Sequence, residues 1–290
     1  MSSFDAVRLT ERLRRRLVLA HRDRHWARRA DLRRAMEHLW GLPGSEGGLI
    51  GEPWIEPAFP AEPGEIGLRE LARRGAFPEE LAEQLDRTGA VPGDRPLHRF
   101  QLEALEVTHR DPRRAVVLTA PTGAGKSEAF LLPALRAAWE AEAEPGQGIT
   151  CLVLYPLNAL VNDQVSRLER WLAGQERLRL LHFTSETPED VAEAARRGIA
   201  DRGLHMMRSR KQGRGREDHR GRKVTGPARA PDILVTNYCM LEYMLVRPQD
   251  AAFFGRNLRA IVLDEAHLYG GALAGEIAYL LRRLCERCGV

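Results

Sequence analysis

The stretch Ala115-Val116-Val117-Leu118-Thr119-Ala120-Pro121-Thr122-Gly123-Ala124-Gly125-Lys126-Ser127 decides the reading of this chain. A short β-prone apolar run meets a glycine-rich turn, and the turn opens into a helical pattern that continues through Trp139. Glycines at 123 and 125 let successive backbone N–H groups turn inward at a helix N-terminus, which makes a nest for an anion. In that nest Lys126 is placed to reach the β- and γ-phosphates of a nucleotide, and the Ser127 hydroxyl to ligate Mg²⁺. Ala120 stands where the generic phosphate-loop pattern has its first glycine.

Outward from this loop, apolar runs alternate with helical patterns. Strands are predicted at Ala115–Thr119, 150–154, 178–183, 233–236 and 260–263. Helices follow through Trp139, Leu172, Leu245 and Leu284. Short β-rich runs alternating with helices imply an α/β fold with a mostly parallel sheet covered on both faces. In such sheets ligands sit at the carboxyl ends of the strands. The last apolar run, Ile261-Val262-Leu263, ends in Asp264-Glu265-Ala266-His267. Two adjacent carboxylates closing a strand downstream of a phosphate loop suit two tasks. Asp264 can hold Mg²⁺ from its outer shell, and Glu265 can orient and deprotonate an attacking water.

The first 93 residues have a different pattern. Residues 4–40 carry leucines at helical spacing with arginines on the other faces, residues 41–67 are rich in Gly, Pro and Glu, and a helical stretch from 68 to 85 breaks near Gly75. The expected organisation is therefore a helical, arginine-rich extension over 1–93 and an ATP-binding domain over 94–290. A basic insert near 196–230, poor in large apolar residues, is expected to be flexible.

Composition bounds the rest. The 290 residues are 43% hydrophobic and 29% charged, with net charge +4, which describes a globular protein. Lys126, Lys211 and Lys223 are the only lysines, so the basic charge is almost all arginine, which binds phosphate bidentately and also accompanies GC-rich coding sequence. No run of 18 apolar residues exists and the N-terminus lacks an apolar signal core, so a cytoplasmic protein without a membrane span is expected. The cysteines 151, 239, 285 and 288 read as reduced thiols. Cys285-x-x-Cys288 is half of a zinc pattern without a second pair.

The motifs together resemble the first RecA-like domain of superfamily 2 DEAD/DEAH-box helicases, a P-loop NTPase fold. Ala120–Ser127 is similar to motif I, in which Ala at the first position is usual, and Asp264–His267 to the DEAH form of motif II. The resemblance implies that Thr122, Gly123, Ala124, Gly125, Lys126 and Ser127 hold ATP, that Asp264 and Ser127 serve Mg²⁺, and that Gln101, in Leu97-His98-Arg99-Phe100-Gln101, reads the adenine edge. It implies backbone contacts to nucleic acid from Pro156 and Asn158 in Tyr155–Leu160, and from Thr236 and Asn237. Asn158 departs from the usual Thr or Ser. The wording of 233–248 and 268–284 resembles bacterial DNA helicases of the MrfA repair type and of DISARM-type phage defence, which favours DNA over RNA. In that family hydrolysis also needs a second RecA-like domain carrying arginines. A non-unwinding translocase, a nucleic-acid-gated switch and a non-catalytic nucleotide-binding module are the competing readings.

Overall fold

The computed structural model describes residues 5–24, 28–52, 60–121, 123–141, 148–187 and 231–290, together with Glu193 and Arg196. Residues 1–59 and 60–290 form two compact units. The first holds α1 (Ala6–Arg24) and α2 (Ala30–Gly41), where a single long helical stretch was expected. Val18 is its one buried hydrophobic residue among those described, and Leu9, Leu13 and Leu17 remain exposed.

The second unit is built on four parallel strands: β1 (Cys151–Tyr155), β2 (Leu180–Phe183), β3 (Ile233–Asn237) and β4 (Ala260–Leu263). Their order is β2-β3-β1-β4. Cys151 is level with Ile233 on one side and Ala260 on the other. Successive strand residues face opposite sides, so each strand feeds two cores. Cys151, Val153, Tyr155, Ile233 and Val235 join one, and Leu152, Leu154, Leu181, Phe183 and Leu234 join the other. That is why these strands are continuously apolar rather than alternating.

Over the first face lie α6 (Lys126–Glu140) and α7 (Asn158–Trp171), through Leu131, Leu135, Val161, Val165 and Leu168. Over the second lie α8 (Tyr238–Val246) and α9 (Ala272–Cys288), through Leu241, Met244, Ile277, Leu280 and Leu284. The described residues of the unit also form α3 (Leu68–Arg73), α4 (Glu79–Arg87) and α5 (Arg99–Arg110). Leu68, Leu81, Leu85 and Val91 are buried in the first core. Residues 60–93, grouped by composition with the N-terminal extension, thus share the core of the sheet domain. Gln84 fastens this region, its Nε2 donating to the carbonyls of Trp171 and Ala173, both at 2.9 Å.

One expected strand is absent. Residues 114–120 have no regular structure and no ladder partner among the described residues, and Val117 is 88% exposed. The composition is that of a strand, yet a strand exists only when a neighbour takes its backbone hydrogen bonds. Among the described residues β4 pairs with β1 alone. The basic insert, over 197–230, lies outside the described residues.

Candidate functional site

The carboxyl ends of β1, β3 and β4 gather most of the candidate residues. The phosphate loop enters α6 through Gly123 and Gly125, at φ +81° and +85°. These are left-handed values that side chains rarely adopt. At Gly125 a Cβ would also lie 2.5 Å from the Gln101 Nε2, so the Gln101 amide would have to move. Lys126 and Ser127 are the first two residues of α6, both half-buried. The dipole of the helix therefore adds positive potential where an anion would sit.

Across from them, β4 delivers Asp264, whose backbone N–H donates to the Leu154 carbonyl at 3.1 Å. One Asp264 carboxylate oxygen accepts the Glu265 N–H at 2.8 Å. Burial raises the Asp264 carboxyl above the usual range; the Glu265 charge adds to the rise, and Lys126 and Arg167 oppose it. Lys126 and Asp264, 138 positions apart, are thus close enough to feel each other's charge. Glu265 adopts φ 51°, ψ 40°, the only left-handed non-glycine conformation among the described residues. Strain of this kind is kept where a turn must aim a side chain. A neighbouring imidazole, Nδ1 of His267, lies 3.3 Å from the Glu265 carboxylate.

Gln101 is 2% exposed, and both ends of its side chain are engaged. Its Nε2 donates to the Gly125 carbonyl at 2.9 Å, and its Oε1 accepts the His98 N–H at 2.9 Å. In this state Gln101 braces the phosphate loop. An adenine contact would require it to give up these bonds. Thr122 lies outside the described residues.

Two residues that the sequence did not single out face the same place. Tyr155 closes β1 beside Asp264, fully buried, and its hydroxyl has no partner among the described residues. Burial and then the Asp264 charge hold its phenol up, while Arg167 works the other way. Arg167 sits on α7, and its charge acts on both Asp264 and Tyr155. Only the apolar context of Tyr155 was visible in sequence, and Arg167 was one arginine among many.

At the neighbouring strand ends, Asn237 Nδ2 donates to Asn158 Oδ1 at 2.6 Å, while Asn237 Oδ1 caps α8 by accepting the Met240 N–H at 2.8 Å. Asn158, the unusual residue, thereby ties α7 to α8. Pro156 is half-buried beside them. The side chain of Thr236 points inward: it is fully buried, with its hydroxyl donating to the Phe183 carbonyl. A ring contact between Tyr238 and Tyr269, centroids 6.2 Å apart, joins α8 to the turn after Glu265.

The model of the DEAD/DEAH box helicase family matches residues 98–288. The chain belongs to that family. Among proteins similar to this DEAD/DEAH box helicase chain is the Druantia protein DruE of Escherichia coli strain UMEA 4076-1, 28% identical over 82% of this chain and 17% of DruE. The ATP-dependent helicase YprA of Bacillus subtilis is 26% identical over 77% of this chain and 25% of its own length. The chain thus spans a quarter or less of these relatives. In fold it is similar to the DUF1998 helicase MrfA in its crystal structure bound to DNA and AMPPNP. The TM-score is 0.54 at 22% identity, covering 81% of this chain and 26% of MrfA. The RecA-like fold expected from the motifs is the fold observed.

The remaining chemistry-bearing residues gather into nothing further. Among the described residues no group of three His, Cys, Asp or Glu side chains could hold a metal ion. Burial pushes the Cys288 thiol up to about 11. No helix among the described residues is long and apolar enough to cross a membrane.

Proposed function

We propose that residues 60–290 form the ATP-binding half of a nucleic-acid-dependent ATPase, acting as an ATP-dependent DNA helicase or translocase in the cytoplasm. The observation that carries this reading is the meeting of the glycine cradle and Lys126 with Asp264 and Glu265 at one end of the sheet. The donor set suits Mg²⁺: a hydroxyl from Ser127 and a carboxylate from Asp264 are the hard oxygens this ion prefers. Bound there, Mg²⁺ would neutralise charge on the phosphate oxygens. Lys126 and the N–H groups of the loop would hold the phosphates, and Glu265 would orient water and take its proton. Tyr155 and Arg167 would set the local charge around Asp264. Arginines facing the γ-phosphate would come from a second RecA-like domain. In related phosphoryl-transfer enzymes such an arginine is worth about 10³–10⁵ in rate.

Nucleic acid would lie across Pro156, Asn158 and Asn237, at the same end of the sheet. The surface there offers backbone and amide groups suited to phosphate, which position a strand without reading its sequence. DNA rather than RNA follows from the likeness to the DNA-helicase branch.

Nucleotide titration tests the core of this reading. Lys126→Ala should weaken Mg²⁺-ATP binding by about 1.5–3 kcal/mol, the range for charge-assisted hydrogen bonds. Equal affinity of the two proteins would remove Lys126 from the phosphate site. Single-stranded DNA binding should be sequence-tolerant, with log K falling by about 0.7 per phosphate neutralised and per unit of log salt. A slope near zero would contradict backbone tracking.

A further inference from the structure

Tyr155 is buried like a core residue but ends in a polar group. It closes β1, is fully buried, and belongs to the first core. Its hydroxyl is shut off from solvent and has no hydrogen-bond partner among the described residues. A phenol placed inside a protein normally finds an acceptor, and a donor left unmade there is a cost to the fold. Phenylalanine would fill the same space without that cost. The chain thus carries a hydroxyl that the nucleotide-free fold does not use.

Strand register shows what this hydroxyl lies beside. In the parallel pairing of β1 and β4, Cys151 is level with Ala260 and Val153 with Val262. All four side chains lie on the first face of the sheet. Two residues further along, alternation puts Tyr155 and Asp264 on that same face and level with each other. The Asp264 N–H bond to the Leu154 carbonyl, 3.1 Å, carries the pairing to this point. Neighbouring strands are about 4.8 Å apart, so the two side chains start side by side. Burial and the Asp264 charge keep the phenol protonated, and therefore a donor. Asp264 has acceptor capacity to spare. Among the described residues its carboxylate takes one hydrogen bond, from the Glu265 N–H to Oδ1, while an ionised carboxylate can accept about four.

We infer that Tyr155 is a positioning residue for the metal-binding carboxylate: in the nucleotide-loaded protein its hydroxyl donates to Asp264 and fixes the direction of that carboxylate toward Mg²⁺. The inference rests on the nucleotide-site reading proposed above. The Glu265 N–H holds one oxygen, and the Tyr155 hydroxyl holds the other, so the carboxylate plane loses its freedom to turn. Groups that orient a metal-binding carboxylate in this way raise its affinity for the metal without touching it. The bond is absent from the nucleotide-free fold and forms on loading. Removing the hydroxyl therefore weakens metal-dependent binding and leaves the fold intact.

Tyr155→Phe in the full chain tests this, with ADP as the probe. ADP affinity is measured across a MgCl₂ series and in EDTA, and unfolding by denaturant is followed without nucleotide. The Mg²⁺ concentration that half-maximally tightens ADP binding should rise about tenfold or more, the loss typical of a group that orients a metal ligand. Affinity in EDTA should match the wild type, and the unfolding midpoint should be unchanged or higher, because the substitution removes an unpaired buried donor. A Mg²⁺ requirement equal to the wild type's overturns the inference. So does an equal loss of affinity with and without Mg²⁺, which would mean a general disturbance of the site. A lowered unfolding midpoint also overturns it, since the hydroxyl would then already serve the nucleotide-free fold. The wild type separates this failure from that of the underlying reading. A wild-type chain whose ADP affinity ignores Mg²⁺ defeats the nucleotide-site reading and the inference together, whereas a Mg²⁺ response shared equally by both proteins defeats the inference alone.

Discussion

The two sides of the sheet are built differently. On the β2-β3-β1 side every strand residue is buried, and even the polar Thr236 is satisfied inside. On the β4 side the strand is half-exposed, the approach to the phosphate loop has no ladder among the described residues, and Glu265 is held in a left-handed conformation. The first side is densely packed, although the buried Tyr155 hydroxyl has no partner among the described residues; the second carries the candidate phosphate and metal chemistry and is more open. The contrast is physical. A phosphate-binding loop needs free N–H groups, and a metal-binding carboxylate needs room. A densely packed core leaves neither.

Glu265→Gln should give the largest effect. In a polypeptide containing this domain and competent for hydrolysis, ATP turnover should fall by about 10²–10⁴, because the amide keeps the shape but loses the base. Nucleotide binding should persist. Normal turnover would make the strained turn a structural feature and not a catalytic one.

Stability measurements should then separate the two sides directly. Leu154→Ala, in the fully buried strand, should cost about 2–5 kcal/mol in denaturant unfolding. Ile261→Ala, in the half-exposed one, should cost less than about 2 kcal/mol, since less apolar area leaves water on folding. Equal costs would mean that β4 is as enclosed as β1, and the comparison would fail.

The smallest effect concerns Asp264. Its carboxyl lies above the usual range because burial penalises the charge. A group with a raised pKa stabilises the fold at pH below its unfolded value, and that contribution is lost as pH rises through the folded value. At neutral pH the ionised Asp264 is thus a cost. Asp264→Asn can still accept the Glu265 N–H and should raise stability at pH 7 by roughly 0.5–2 kcal/mol. That gain should vanish in acid, while Mg²⁺-dependent nucleotide binding is lost. A destabilised Asn variant at pH 7 would show that Lys126 and Arg167 already compensate the charge.

Much of this was legible in the sequence because it is local. The strands at 151–155, 233–237 and 260–263 come from apolar runs long enough for a buried strand, and the glycines at 123 and 125 from the backbone a phosphate nest requires. The Asp264-Glu265 pair was readable as the end of an apolar strand. Local pattern misjudged Ala115–Thr119, where composition describes a strand but pairing depends on a neighbour. The helical stretch at 68–85 was legible too, but composition grouped it with the N-terminal extension, while Leu68, Leu81 and Leu85 enter the sheet's core.

By itself the sequence determined the α/β character, the phosphate cradle and the carboxylate pair, since each rests on residues close together in the chain. Tertiary structure alone decided the strand order, the bracing of Gly125 by Gln101 and the inward turn of Thr236. It also decided that Tyr155 and Arg167 come near enough to Asp264 to share its electrostatics and that, among the described residues, β4 pairs with β1 alone. These are contacts between segments separated by tens of residues. No local periodicity specifies such contacts, because burial and backbone pairing are settled only when the whole sheet and its covering helices come together.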